Sequence, residues 1–149
     1  MPERETLRRA EADKRAGKSA STQAGEFVRE EMHHIRAGKH GARSTKQAIA
    51  IGLSKARRAG VELRVPTAGA VSEKTRSSAE RALAAGSGGR HRKPSATRSR
   101  AITAALRREG RAAASKSALA RQAKSAARKR TPAARSAAAR RAARTKRKG

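Results

Sequence analysis

The chain has 149 residues with 39 Lys+Arg against 11 Asp+Glu, a formal net charge of +28 that exceeds what solubility requires and calls for a polyanionic partner. One Phe, no Trp, no Tyr and a 36% hydrophobic fraction made mostly of alanine exclude a large core and leave little material for a water-excluding catalytic pocket. The absence of Cys excludes disulfides and a Cys-based zinc site, and it fits a reducing cytosol.

The charge is unevenly placed. Residues 1–80 hold 17 basic and 10 acidic side chains, net +7, whereas residues 81–149 hold 22 basic and one acidic, net +21. Met1-Pro2-Glu3-Arg4-Glu5 has no cationic start leading into an apolar run, so no signal peptide is expected. The longest apolar stretch, Ala48-Ile49-Ala50-Ile51-Gly52-Leu53, is six residues, where a bilayer crossing needs about 20. A cytoplasmic chain without membrane contact is the expectation.

In chain order, residues 2–16 read as a polar helix supported by Glu5–Arg9 and Glu11–Arg15 pairs and stopped at Gly17. It has almost no apolar face, so it needs a surface to dock on. Ser21 or Thr22 is the expected cap of a second helix reaching Ala37, with Val28, Met32 and Ile35 on one face, Phe27 beside them and Gly38 as the stop. Ser44 and Gln47 have capping-box spacing and open a third helix that places Ile49, Gly52, Leu53 and Ala56 on one face and ends at Gly60. Ile51 falls off that face and is either half-exposed or a contact for a partner. These two helices make a hairpin of the size at which domains need help, so self-association or a protein partner through residues 22–60 is expected. Residues 61–66 alternate apolar and polar for one short extended segment that Pro66 ends.

From Thr67 the composition turns to Ser, Ala, Gly and Arg. The spacing predicts helices over residues 72–85 and 95–109, the latter carrying Ile102 and Leu106, with residues 86–94 as the linker between them. Residues 115–130 and 132–148 have high helix propensity, and Thr131-Pro132 is an N-cap and N1 pair. Like charge opposes that propensity, so these helices are expected to fluctuate when free and to firm up when neutralised. The fold class expected is all-α: a polar N-terminal arm (residues 1–20), a helical hairpin core (21–66), a linker with one helix (67–94) and a basic tail (95–149), helical or partly disordered.

Helical projection gathers the cations of that tail. Arg121, Lys124 and Arg128 share one sector opposite Leu119, Ala123 and Ala126, and Arg140, Arg141, Arg144, Arg147 and Lys148 lie across from Ala138, Ala139 and Ala142. With Lys129, Arg130, Arg135 and Lys146 they form the candidate nucleic-acid-binding set, an arginine-rich stripe that follows phosphates while small alanines let the backbone come close. Phe27, the sole aromatic, is expected in the core, which leaves no platform for stacking unpaired bases and favours duplex.

Other chemistry has weaker support. His33 and His34 diverge by about 100° on a helix and His40 lies in the next loop, so a three-His site requires the loop to fold back. No carboxylate or thiolate has familiar ligand spacing, and the histidines read as polar surface with no metal site and no cofactor. Glu26, Glu30 and Glu31 read as helix-favouring residues balancing arginines, with Glu26 in the first turn. Serines lack a partner base, and Gly86-Ser87-Gly88-Gly89 precedes no strand–helix unit, so no catalytic residue is assigned and no enzyme is expected.

The block from Ser21-Thr22-Gln23-Ala24-Gly25-Glu26-Phe27-Val28 through Gly38-Lys39-His40-Gly41-Ala42-Arg43-Ser44 to Lys46-Gln47-Ala48-Ile49-Ala50-Ile51-Gly52-Leu53-Ser54-Lys55-Ala56-Arg57-Arg58-Ala59-Gly60 resembles a family of short basic bacterial proteins with a domain of unknown function. That resemblance implies bacterial origin and a helical hairpin and carries no activity with it. Residues 90–149 look like the Ala/Lys-rich arms of bacterial histone-like and linker-histone-like proteins, although Arg outnumbers Lys here and regular Lys-Pro repeats are missing. The function expected is sequence-nonspecific binding of nucleic acid, with duplex DNA favoured over RNA, in a nucleoid-associated or histone-like role. The alternatives are an RNA- or ribosome-associated factor, or a protein-interaction adaptor whose tail is only an anchor.

Overall fold

Serines and a threonine set where most helices begin, because a side-chain oxygen there accepts a backbone N–H that the first turn leaves unpaired. Ser19 caps α2 (Ala20–Arg36), Ser44 caps α3 (Thr45–Arg58), Ser72 caps α4 (Glu73–Gly86), Ser95 caps α5 (Ala96–Arg108) and Ser115 caps α6 (Lys116–Arg128). The Thr131 hydroxyl accepts from Ala134 N at 3.2 Å at the start of α7 (Pro132–Lys148). The first helix, α1 (Arg4–Arg15), begins without a side-chain cap, and a 3₁₀ turn covers Ala112–Ala114. The computed structural model describes residues 2–88 and 95–148, and among these the fold is all-α, with no strand beyond an isolated Ala68–Val71 bridge. The expected linker at residues 86–94 lies mostly outside the described residues, and Gly86, its first residue, ends α4.

Two starts differ from expectation. The cap of α2 is Ser19, two or three residues earlier than Ser21 or Thr22, because its Oγ accepts from Thr22 N at 3.3 Å. At α3 the first half of the capping box forms, Gln47 N donating to Ser44 Oγ at 3.2 Å, but the Gln47 side chain reaches one residue further and accepts from Arg43 N at 2.7 Å. Helix ends follow the glycines: Gly17, Gly38 and Gly60 have φ of +69°, +76° and +90°, the left-handed region that costs glycine little and other residues more.

The hairpin of α2 and α3 is the centre, and its close packing depends on Gly52. A Cβ at Gly52 would meet the Val28 Cα at 2.7 Å, so only glycine lets the two backbones cross here. The innermost face of α3 is the small-residue row Ala48, Gly52 and Ala56, with Ile49, Leu53 and the off-face Ile51 half-buried beside it. One apolar cluster joins Ala24 and Phe27 of α2 to Ala56, Val61 and Ala10, so α1 docks on the hairpin through Ala10 despite its polar composition. A second joins Met32 and Ile35 to Ala42, Ala48 and Ala114, with Val28, Ile49, Ala113 and Leu119 against it. Helix α4 covers α3 through Ala79 and Ala82, where the approach at Gly86 is so tight that a Cβ would fall on the Arg57 carbonyl.

Candidate nucleic-acid interface

Residues 112–119 tie the basic half to the hairpin. Arg36 Nε donates to the Ala114 carbonyl at 2.8 Å, Thr45 Oγ1 donates to the Ala113 carbonyl at 2.7 Å, and Ala114 is fully buried. Upstream, Gly41 N donates to Leu106 O at 2.8 Å and Ala42 N to Gly110 O at 3.2 Å, so the loop between α2 and α3 holds the end of α5. The rest of α5 buries nothing, and Ile102 is 54% exposed.

This anchoring fixes the orientation of α6. Ala118, Leu119, Gln122 and Ala126 are half-buried, whereas Arg121, Lys124 and Arg128 point outward on the opposite sector. Lys129 and Arg130 follow at the exposed end of the helix. On α7, Arg135, Arg140, Arg141, Arg144, Lys146 and Arg147 are exposed, and Lys148 is its last residue. Arg135 and Lys146 project to the alanine side of α7, about 100° or more from the main arginine sector, so α7 carries a broad basic stripe and two cations off it.

The electrostatics of the two halves contrast. Eight of the 11 acids, from Glu3 to Glu80, stand in ion pairs with bases of the first half, including Glu26 with Arg9 at 3.5 Å and Asp13 with Lys18 at 3.0 Å. Residues 95–148 contain 18 Lys+Arg and the single acid Glu109. The 17 of these from Arg98 to Arg147 are exposed and none of them is ion-paired among the described residues. The hydrogen bond from Arg9 and its charge hold the Glu5 carboxyl below its ordinary value. The pair Glu11–Arg15, also expected, is not among the ion pairs of the described residues.

A second polar assembly lies between α2, α3 and the loop that joins them, and sequence reasoning missed it. Glu30 and Glu31 are buried, not surface partners of arginine, and Lys55 of α3 reaches both, at 3.5 Å from Glu30 Oε1 and 2.7 Å from Glu31 Oε2. Glu26 does meet arginines, Arg9 and Arg29, but it lies beyond the first turn because α2 starts at Ala20. The α2–α3 loop folds back, bringing His40 Nε2 to 3.0 Å from Glu31 Oε1, while His34 Nε2 donates to Glu3 Oε1 at 2.8 Å and His33 stays exposed. Glu3 also receives Lys39 at 2.9 Å; the hydrogen bond from His34, then the hydrogen bond and charge of Lys39, hold its carboxyl at about 2. The signal in the sequence was His33, His34 and His40 together with Glu26, Glu30 and Glu31 within one hairpin, and which of them meet depends on a loop fold that spacing does not specify.

The geometry thus defines a helical hairpin unit with an attached, uncompensated basic arm. Residues 13–68 match the model of a family of unknown function (DUF6496), which covers α2, α3 and their flanks. No curated protein and no solved structure matches the chain. No helix among the described residues is long and apolar enough to cross a membrane.

Proposed function

We propose that this chain is a sequence-nonspecific nucleic-acid-binding protein of nucleoid-associated or histone-like type, in which residues 95–148 lie along the phosphate backbone and the hairpin anchors them. The observation that carries this reading is charge segregation: eight of the 11 acids are ion-paired with bases of the first half, and the outward cations of α5, α6 and α7 from Arg98 to Arg147 have no acidic partner among the described residues. Such cations bind a polyanion by displacing its condensed counterions, which favours association without reading sequence. Duplex is the favoured form because Phe27, the one aromatic, is 1% exposed in the core and offers no stacking surface to unpaired bases.

The test compares the full chain with the variant Arg140→Gln, Arg141→Gln, Arg144→Gln, Arg147→Gln by fluorescence anisotropy on a duplex of arbitrary sequence. The reading expects a large loss of affinity with unchanged helicity of the hairpin. Equal affinity of the two proteins contradicts it. Competition by structured RNA decides between the polymers: efficient displacement of the duplex at equal phosphate concentration makes RNA the partner.

A further inference from the structure

We propose that Glu31, His34 and His40 form a binding site for a zinc-class divalent ion, at which the metal pins the α2–α3 loop to α2. The three side chains offer ligand atoms that all lie within 4.8 Å of one another, and their rings and carboxylate come from two turns of α2 and the loop that follows. The His34 and His40 rings are 6.3 Å apart between centroids and nearly perpendicular, at 82°, so they approach a common point from different directions.

The hydrogen bonds around the cluster leave its inner lone pairs free. His40 Nδ1 is 3.0 Å from the Gly41 carbonyl, which only accepts, so Nδ1 is the protonated nitrogen. Its Nε2 faces Glu31 Oε1 at 3.0 Å, so this edge of the ring offers the buried carboxylate either an N–H or a coordinated metal ion. Glu31 is 1% exposed, and neither carboxylate oxygen has a well-aligned hydrogen bond: Lys55 Nζ and His40 Nε2 are close in distance but poorly directed. A buried carboxylate without aligned donors carries a large desolvation cost, which a coordinated ion offsets.

The surroundings resemble the outer shell of a metal centre. A ligating histidine usually donates its other N–H to a carboxylate or a backbone carbonyl. Here His34 donates from Nε2 to Glu3, leaving Nδ1 as the ligand nitrogen, and His40 donates from Nδ1 to Gly41 O, leaving Nε2. The Lys55 ammonium lies 2.7 Å from Glu31 Oε2, which leaves Oε1, the oxygen nearer His40, for the ion. Two imidazoles and one carboxylate suit zinc and its neighbours rather than calcium or magnesium, with a fourth position open to water. A tetrahedral ion with bonds of about 2.0–2.1 Å holds its ligands about 3.4 Å apart, so separations of up to 4.8 Å have to close by as much as about 1.4 Å while the 3.0 Å between His40 Nε2 and Glu31 Oε1 opens by about 0.4 Å. His40 is 17% exposed and gives the ion its way in.

The consequence is structural. The loop carrying His40 also carries Gly41 and Ala42, whose N–H groups hold the end of α5, so the ion would tighten the link between the hairpin and the basic arm. This inference is independent of the nucleic-acid reading and stands or falls by its own test.

The test is a titration of the untagged full-length chain with Co²⁺, a coloured surrogate for zinc, followed by Zn²⁺ displacement, with Zn²⁺-dependent unfolding temperature as the second readout. The proposal expects one Co²⁺ per chain with the visible bands of a four-coordinate site, loss of those bands on adding Zn²⁺, and a rise of the unfolding temperature with Zn²⁺. His40→Ala and Glu31→Gln should abolish both responses, Glu3→Gln should weaken affinity about 10–100-fold, and His33→Ala, on the exposed neighbour, should change neither. If a buried variant fails to fold by circular dichroism, the wild-type bands and the His33→Ala comparison still decide. Absence of the bands in the wild-type chain, or equal losses in His33→Ala and His40→Ala, overturns the site.

Discussion

Arg36 Nε donates to the carbonyl of Ala114 across 78 positions of sequence, and that hydrogen bond joins the end of α2 to the 3₁₀ turn between α5 and α6. Ala114 is fully buried beneath that contact, so its carbonyl loses its side-chain donor if the guanidinium is removed. Arg36→Ala is therefore expected to cost about 1–3 kcal/mol, with the loss concentrated at the docking of residues 112–119. Native-state hydrogen exchange reads this directly: amides of residues 114–119 lose protection in the variant while those of α2 and α3 keep most of theirs.

Two glycines give opposite expectations for the same substitution. At Gly52 a Cβ meets the Val28 backbone at 2.7 Å, and the hairpin must open to admit it, so Gly52→Ala should destabilise by about 1–3 kcal/mol. Gly25 is exposed within α2 with nothing within 4 Å of its Cβ position, so Gly25→Ala should stabilise by about 0.5–1 kcal/mol through helix propensity. Urea denaturation of the two variants checks the sign of each.

The Glu5 carboxyl is held below its ordinary value by the hydrogen bond and charge of Arg9. A carboxylate with a depressed folded pKa contributes stability that is fully present above the unfolded value and is lost as pH falls through the folded one. The contribution of this pair within α1 should thus be fully present above the ordinary carboxylate value and be lost as the pH falls through the lowered one. NMR titration of the side-chain carboxyl carbons should find Glu5 low in the wild type and back near the ordinary value in Arg9→Gln.

The outward sector of α6 should add to that of α7 without touching the hairpin. Arg121→Gln, Lys124→Gln, Arg128→Gln removes three exposed cations opposite the half-buried Leu119 and Gln122, so duplex affinity should fall while the thermal unfolding of the hairpin stays within about 0.5 kcal/mol of wild type. Anisotropy and calorimetry on the same preparation separate the two effects.

What the sequence made legible was local. The capping hydroxyls of Ser44, Ser72, Ser95, Ser115 and Thr131 and the left-handed Gly38 and Gly60 act within one helical turn, so their spacing alone places the helices. Ser19, Ser21 and Thr22 are all competent caps, and nothing in the local pattern ranks them. Long-range features were not legible. Ala114 is one alanine among many in its segment, and only the hairpin it meets distinguishes it. Glu30 and Glu31 look like surface acids until Lys55 arrives from α3 and His40 from the folded-back loop, both of which are tertiary events. The basic stripe was legible as charge and projection; its anchoring by Arg36 and Thr45 was not.

The most direct measurement of the central claim is the duplex affinity of the full chain across a salt series. If the cations of residues 95–148 neutralise six to ten phosphates, affinity should fall by about 10³–10⁵ between 50 and 200 mM monovalent salt, on a straight line of log affinity against log salt. An affinity that stays flat over that range, or no binding at the lowest salt, contradicts the account.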